Sequence, residues 1–335
     1  MLIAGPRFYD YNISIENAFK NLGFETKVAS YYPRTVSSTG ERIRYHLAAD
    51  KDAFFERIEA RFNNHILDLY SSFRPDIVVI IQGNVIYKET LERMTGCKKV
   101  LWMMDSISRY PRSYELRNSV DSIFLFEKTD IEKLWNSDKI TGHFLALALD
   151  EKVYYPFVDR KKDVDILFIG ALYENRIEML EKVSEKFRNY VVKVYGHYYA
   201  PLRRPFYHLF RKNKNVFLNK NIAPARVNEL YNCSKICLNI HHEQSRYGVN
   251  QRFFEISGSR SFQLVDNNAY IADNFSNTEI VTYSTLPELF EKIDMALNNS
   301  IDTNAIAENA YEKITSNHTF THRVRYLLDV IKFDY

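Results

Sequence analysis

Val164-Asp165-Ile166-Leu167-Phe168-Ile169-Gly170-Ala171-Leu172-Tyr173-Glu174-Asn175-Arg176 opens the second half of the sequence. An apolar run ends in glycine, and an amphipathic stretch at 174–187 follows within four residues. That is the signature of a buried parallel strand turning into a helix. The same alternation continues downstream, with strands predicted at 190–195, 235–240 and 261–265. Helices are predicted at 224–231, 251–257, 286–297, 305–315 and 321–331. Upstream, strand-like runs fall at 2–4, 24–29, 76–81, 100–104, 122–126 and 143–147. Ile15, Ala18, Phe19 and Leu22 mark one helix face, and a long helix is predicted over 52–73. A composition break at Tyr155-Pro156, followed by the charged stretch 159–163, separates the two series. The pattern predicts an α/β protein of two Rossmann-like domains, 1–156 and 157–335, facing a central cleft. Such sheets bind ligands outside the carboxyl ends of their strands.

The composition narrows the classes. Of 335 residues only ten are glycine, about half of average usage. Neither a Gly-rich dinucleotide fingerprint nor a P-loop is present, so phosphate binding must use other groups. Aromatic residues make 15% of the chain, hydrophobic residues 46% and charged residues 26%, values of a globular protein. A net charge of +3 is too weak for a nucleic-acid binder. Cys97, Cys233 and Cys237 are too few and too scattered for a disulfide framework. No signal-peptide pattern and no membrane-length apolar run is found, and a cytoplasmic location is expected.

Residues that follow strands are the candidates for chemistry. Gly170 with Arg176 at a helix start forms an anion site suited to a diphosphate, although Arg176 reads equally well as a solvated helix residue. The densest polar cluster is Asn239-Ile240-His241-His242-Glu243, continuing from Gly248 through Asn250, Arg252 and Glu255 to Gly258. Adjacent histidines on a strand point to opposite faces, so His241 and His242 are poor joint metal ligands, and no metal site is expected. Glu255 is expected near the positive end of its helix, to accept hydrogen bonds from ligand hydroxyls or to serve only as a dipole-stabilised surface group. Asp105, just past Leu101-Trp102-Met103-Met104, is either a general base or a helix cap. From 196 to 228 there are seven Lys/Arg and no Asp or Glu, interleaved with aromatics. That composition suits an anionic membrane surface or phosphorylated ligand, or else a solvated loop.

Asn250-x-Arg252-x-Phe254-Glu255-Ile256-x-Gly258, followed by Phe262-x-Leu264-x-Asp266, resembles the donor-side motif of group-1-like glycosyltransferases of the CgeB-like (spore-maturation-protein) branch. The run from Val164 to Gly170 with Arg176, the linker Ala148 to Pro156, and His318-Thr319-Phe320-x-x-Arg323 are similar to that family in the same order. Trp102-x-x-Asp105 is similar to its N-terminal half. The resemblance implies a GT-B fold and transfer of a sugar from a nucleotide-diphosphate sugar, itself a substrate, to a hydroxyl on a glycan or lipid-linked acceptor. It implies no cofactor and no metal. It gives Glu255 the donor ribose, Gly170 and Arg176 the diphosphate, and Asn250 and Arg252 the same pocket. His241 and Gly258 complete the expected donor set, with Asp105 and Glu255 as catalytic residues. In retaining relatives a second Glu stands eight residues before the ribose-binding one; here that position is Tyr247. A role in cell-surface glycan synthesis, with contact at the inner membrane face through 196–228, completes the expectation. A non-catalytic sugar- or nucleotide-binding protein and a sugar-nucleotide epimerase are the alternatives.

Overall fold

The computed structural model describes residues 1–7, 11–32, 44–198, 216–220, 222–242 and 245–333. The chain divides into two units, Met1–Ala146 with Phe320–Tyr335, and Leu147–Thr319. Most of the basic stretch 196–228 lies outside the described residues. Among the described residues no helix is long and apolar enough to cross a membrane.

The first unit is a wholly parallel six-stranded sheet. Its strands are β1 (Leu2–Pro6), β2 (Lys27–Tyr31), β3 (Ile77–Ile81), β4 (Lys98–Met103), β5 (Ser122–Leu125) and β6 (Gly142–Phe144), in the order β2-β1-β3-β4-β5-β6. β3 (Ile-Val-Val-Ile-Ile) is buried along its whole length, as a central strand covered on both faces must be. Helix α1 (Tyr11–Asn21) follows β1, and α2 (Lys51–Phe73) precedes β3. Asp50 caps α2 by accepting from the N–H groups of Asp52 and Ala53, and Arg74 ends it in the left-handed conformation ahead of Pro75. On the buried side of α2, Asn63 donates to Val85 O at 2.8 Å and accepts from Tyr87 N at 2.9 Å. One helix residue thus fixes the loop that leaves β3. Short helices α3 (Lys88–Glu92) and α4 (Pro111–Glu115) follow β3 and β4. Helix α5 (Lys128–Asp138) has no counterpart in the sequence reading. Ile131, Leu134 and Trp135 are its only apolar residues, a single turn's worth of the helical spacing, and its buried Asp130 accepts from Ile107 N at 3.0 Å.

The second unit is a parallel five-stranded sheet. It comprises β7 (Val164–Ile169), β8 (Val192–Tyr195), β9 (Ser234–Asn239), β10 (Gln263–Asp266) and β11 (Val281–Tyr283), in the order β11-β10-β9-β7-β8. The chain runs outward from β7 to β8 through α6 (Glu174–Lys186), then returns through α7 (Pro224–Asn232) to place β9 on the other side of β7. Sheet order reverses there, which makes the carboxyl ends of β7 and β9 the ligand-binding position of this unit. Helices α8 (Gln251–Gly258), α9 (Ala269–Asn274), α10 (Leu286–Leu297) and α11 (Thr303–Asn317) complete it.

The unit boundary differs from the expected 156/157 for identifiable reasons. Asn228 and Asn232 of α7 grip the backbone of Tyr155 and Phe157 through four hydrogen bonds of 2.6–3.3 Å. Ala148 and Leu149 are fully buried, and Leu149 N donates to His318 O at 2.8 Å. The linker is therefore part of the second unit. The final helix, α12 (Phe320–Val330), was expected with the second domain and belongs to the first unit instead. Phe320 packs against Tyr11 and Trp102, Lys98 Nζ donates to Ile331 O, and Arg323 Nε donates to Ala146 O at 2.9 Å.

Candidate functional site

In the second unit the expected donor residues gather at the sheet reversal. Arg176 is the third residue of α6 and is 8% exposed. Its Nη1 donates to Ala171 O at 2.9 Å and its Nη2 to Ile240 O at 2.7 Å, so the guanidinium ties the loop after β7 to the end of β9. The solvated-surface reading of Arg176 is therefore excluded. Its guanidinium also lies over the Tyr173 ring at 5.2 Å. No described carboxylate pairs with it within 4 Å. Burial lowers its pKa, opposed by the nearby Tyr173 and Asp266, while Arg252 adds to the lowering. A buried cation with only carbonyl partners is costly in an empty site and valuable to an anion that enters it.

Gly170 closes β7, with its N–H on Tyr195 O at 2.9 Å. A Cβ on Gly196, after β8, would meet Gly170 O at 1.8 Å, and Gly196 has φ +148. The two glycines let the strand ends approach one another, which is a packing reason for both.

His241, just beyond β9, is bound twice by one oxygen: its backbone N and its Nδ1 both lie on Asp266 Oδ1, at 2.9 and 2.8 Å. His242 instead stacks edge-on against Tyr173 at 4.7 Å. The two rings have separate surroundings. Asn250 is the N-cap of α8, accepting from Phe253 N at 3.1 Å and donating to Asn239 Oδ1 at 2.8 Å. Its side chain anchors the helix that carries Arg252 and Glu255.

Glu255 is the fifth residue of α8 and lies beyond the first turn, where the helix dipole acts. It is only 4% exposed, which excludes the surface reading. Its Oε2 accepts from Arg252 Nη1 at 2.9 Å, and the same nitrogen donates to Tyr231 OH at 3.1 Å. Burial raises the Glu255 pKa, opposed by Arg252 and by hydrogen bonds from Tyr154, Tyr231 and Arg252. Arg252 is near enough to Arg176 to oppose its charge.

Gly258 ends α8, and the structure corrects its expected place in the ligand pocket. A Cβ there would lie 2.1 Å from Leu149 Cδ1 and 3.0 Å from Leu149 Cγ, so glycine is required by the fully buried Leu149. Gly258→Ala is expected to cost about 1–3 kcal/mol through this overlap, read as a lower urea midpoint, with ligand affinity unchanged in the folded protein.

In the first unit Asp105 is neither exposed nor a cap. Ser106 caps the following turn by accepting from Ser108 N. Asp105 Oδ2 accepts from Gln82 Nε2 at 3.0 Å and Oδ1 from Arg109 Nη1 at 3.1 Å. Gln82, at φ +61, closes the pair by accepting from Met104 N at 3.0 Å. The sequence reading missed Gln82 and Arg109, as well as Tyr231 and Tyr154 beside Glu255. Asp266 was visible as a strand-ending carboxylate, by the same rule that singled out Asp105.

Residues 176–329 match the model of a family described as glycosyl transferase-like. The chain carries a glycosyltransferase-like region. Three solved structures resemble the whole chain. Sucrose-phosphate synthase from Thermosynechococcus elongatus is 10% identical, with TM-score 0.67, covering 99% of this chain and 98% of that one. Anabaena Alr3699/HepE, solved in complex with UDP and glucose, is 9% identical, with TM-score 0.65 and coverage of 99% of each chain. An α,α-trehalose-phosphate synthase (UDP-forming) from Burkholderia vietnamiensis is 10% identical, with TM-score 0.66 and the same coverage. No curated protein sequence matches. The fold is GT-B.

Proposed function

We propose that the protein transfers a sugar from a nucleotide-diphosphate sugar to a hydroxyl acceptor without a metal ion, as a member of the CgeB-like branch acting in cell-surface glycan synthesis. The observation that carries this reading is the buried guanidinium of Arg176 at the sheet reversal, in a unit most of which matches the glycosyl transferase-like family model. The diphosphate lies against Arg176 and the N-terminus of α6, which together offset the charge that grows on the leaving group. Glu255 takes the ribose hydroxyls, with Arg252 fixing its carboxylate. In the first unit Asp105, steadied by Gln82 and Arg109, receives the acceptor proton. Tyr247, where retaining relatives carry Glu, donates to Asp273 Oδ2 at 2.9 Å and supplies no carboxylate of its own. The stretch 196–228 brings the protein to an anionic membrane face.

A thermal-shift screen with UDP-, GDP-, dTDP- and CMP-sugars tests the reading, because a ligand present at 100 times its Kd stabilises the folded state by about 2.7 kcal/mol. At least one of the UDP-, GDP- and dTDP-sugars should raise the melting temperature, and the same donor should yield a glycosidic product in the presence of EDTA. A response to the CMP-sugar alone, which has one phosphate, would contradict the diphosphate site. Binding without turnover would favour a non-catalytic binding protein, and isomerised donor without acceptor would identify an epimerase. Loss of transfer in EDTA would remove the metal-independent step.

A further inference from the structure

The imidazole of His241 is the most constrained polar group of the second unit that the proposed chemistry leaves without a task. Its side chain is 4% exposed. Nδ1 lies 2.8 Å from Asp266 Oδ1, which also accepts from the His241 backbone N–H. An ionised carboxylate can only accept, so Nδ1 carries the proton. In the neutral ring Nε2 is then a bare acceptor. That Nε2 is buried and has no hydrogen-bond partner among the described residues.

The ring cannot turn away to find a partner without breaking the bond to Asp266. Its position is further fixed through the preceding residue, because Arg176 Nη2 holds Ile240 O at 2.7 Å. Asp266 from β10 is the charged group bonded to the ring, and Arg176, from the β7–α6 corner, is held on the carbonyl of the residue before it. A fixed, buried acceptor with a vacant lone pair, at the carboxyl end of β9 where the sheet order reverses, is shaped to receive a hydroxyl hydrogen.

We infer that His241 Nε2 accepts a hydrogen bond from a hydroxyl of the bound nucleotide sugar, of either the ribose or the transferred sugar, and so selects ligands that carry it. The inference rests on the reading of this unit as the donor site. A site built around an acceptor of this kind rejects an analogue lacking the hydroxyl, because the buried nitrogen then stays unpaired. Asp266 acts on the ligand only through the imidazole and is a positioning residue.

The test is calorimetric titration of the full chain with UDP-glucose and GDP-mannose, with UDP and GDP, with the 2′-deoxy diphosphates, and with inorganic pyrophosphate. His241→Asn keeps an amide N–H for Asp266 and removes the distal acceptor. It should weaken binding of the nucleotide sugar about 10- to 100-fold, while the melting temperature stays near that of the native chain. His241→Gln, which restores an acceptor close to the Nε2 position, should recover part of that loss. A loss confined to the nucleotide sugars places the hydroxyl on the transferred sugar. A loss shared by UDP or GDP but absent with the 2′-deoxy form places it on the ribose. Unchanged affinity in His241→Asn overturns the inference and leaves the donor-site reading standing. So does an equal loss with inorganic pyrophosphate, since that would mean contact with the diphosphate. An equal loss with every nucleotide, the 2′-deoxy forms included, but not with pyrophosphate places the hydroxyl at the ribose 3′ position. If neither these ligands nor dTDP-glucose binds the native chain, the donor-site reading falls and this inference with it.

Discussion

Glu255→Ala is expected to lower the melting temperature by about 10 °C, whatever it does to activity. Glu255 is buried and the Arg252 side chain is three-quarters covered; the two are joined at 2.9 Å, with Tyr231 on the same guanidinium nitrogen. Truncating the acid leaves the guanidinium buried without its counter-charge, which costs about 3–5 kcal/mol. In a domain of 150–250 residues each kcal/mol moves the melting temperature by about 2–4 °C. Glu255→Gln should behave differently, because the amide oxygen still accepts from Arg252 and no carboxylate has to be desolvated. Burial raises the Glu255 pKa above its ordinary 4.5 in the folded chain. The stability this group contributes is therefore fully present below pH 4.5 and is lost as the pH rises through the raised folded-state value. Gln does not titrate, so the stability of native protein relative to Glu255→Gln should fall over that window. Melting curves of the three proteins between pH 4 and 8 check both statements. A Glu255→Ala protein as stable as the native one would remove the ion pair from the account of the core.

Arg176→Met should do the reverse, separating function from stability. The substitution removes a buried cation that no carboxylate compensates, a gain for the fold, and leaves Ala171 O and Ile240 O without their donor, a loss of similar size. The net change in stability is expected to stay within about 2 kcal/mol. Affinity for a nucleoside diphosphate should fall about 100-fold, because a charge-assisted contact to phosphate disappears with the guanidinium. Arg176→Lys should recover little, since a single ammonium cannot span two carbonyls and a phosphate at once. Titration of the bound nucleotide alongside thermal melting makes the comparison. Equal affinity in native and Arg176→Met proteins would remove Arg176 from the diphosphate site.

Most of the fold was legible in the sequence because buried parallel strands are apolar on both faces. Val164 to Ile169 and Ile77 to Ile81 announce themselves without reference to any partner. Helix α5 did not, since its burial depends on Leu134 and on the polar Asp130, whose partner Ile107 N is distant in sequence. The allegiance of α12 was equally hidden: an amphipathic helix shows that it buries a face, but not which sheet supplies the other side. At the site, residue types and positions were readable and pairings were not. Strand ends pointed to Asp105, Gly170, Arg176 and His241, whereas the Gln82–Asp105–Arg109 and Tyr231–Arg252–Glu255 groupings are made by contacts across the fold. Glycine proved the least reliable guide. Gly258 looked like a place where a ligand meets bare backbone, and the neighbour it admits is Leu149.

The return of α12 to the first unit sets an order of events during synthesis. The nascent chain completes 147–319 before the residues that finish the first sheet's covering layer have left the ribosome. Until then Phe320 cannot pack against Trp102 and Tyr11, and Lys98 cannot bind Ile331 O. The unit that begins first is therefore the unit that closes last, an inversion of the usual N-terminal-first sequence. A stalled or prematurely terminated chain would present a closed second unit tethered to an open first one, and quality-control proteases should cut it within 1–146.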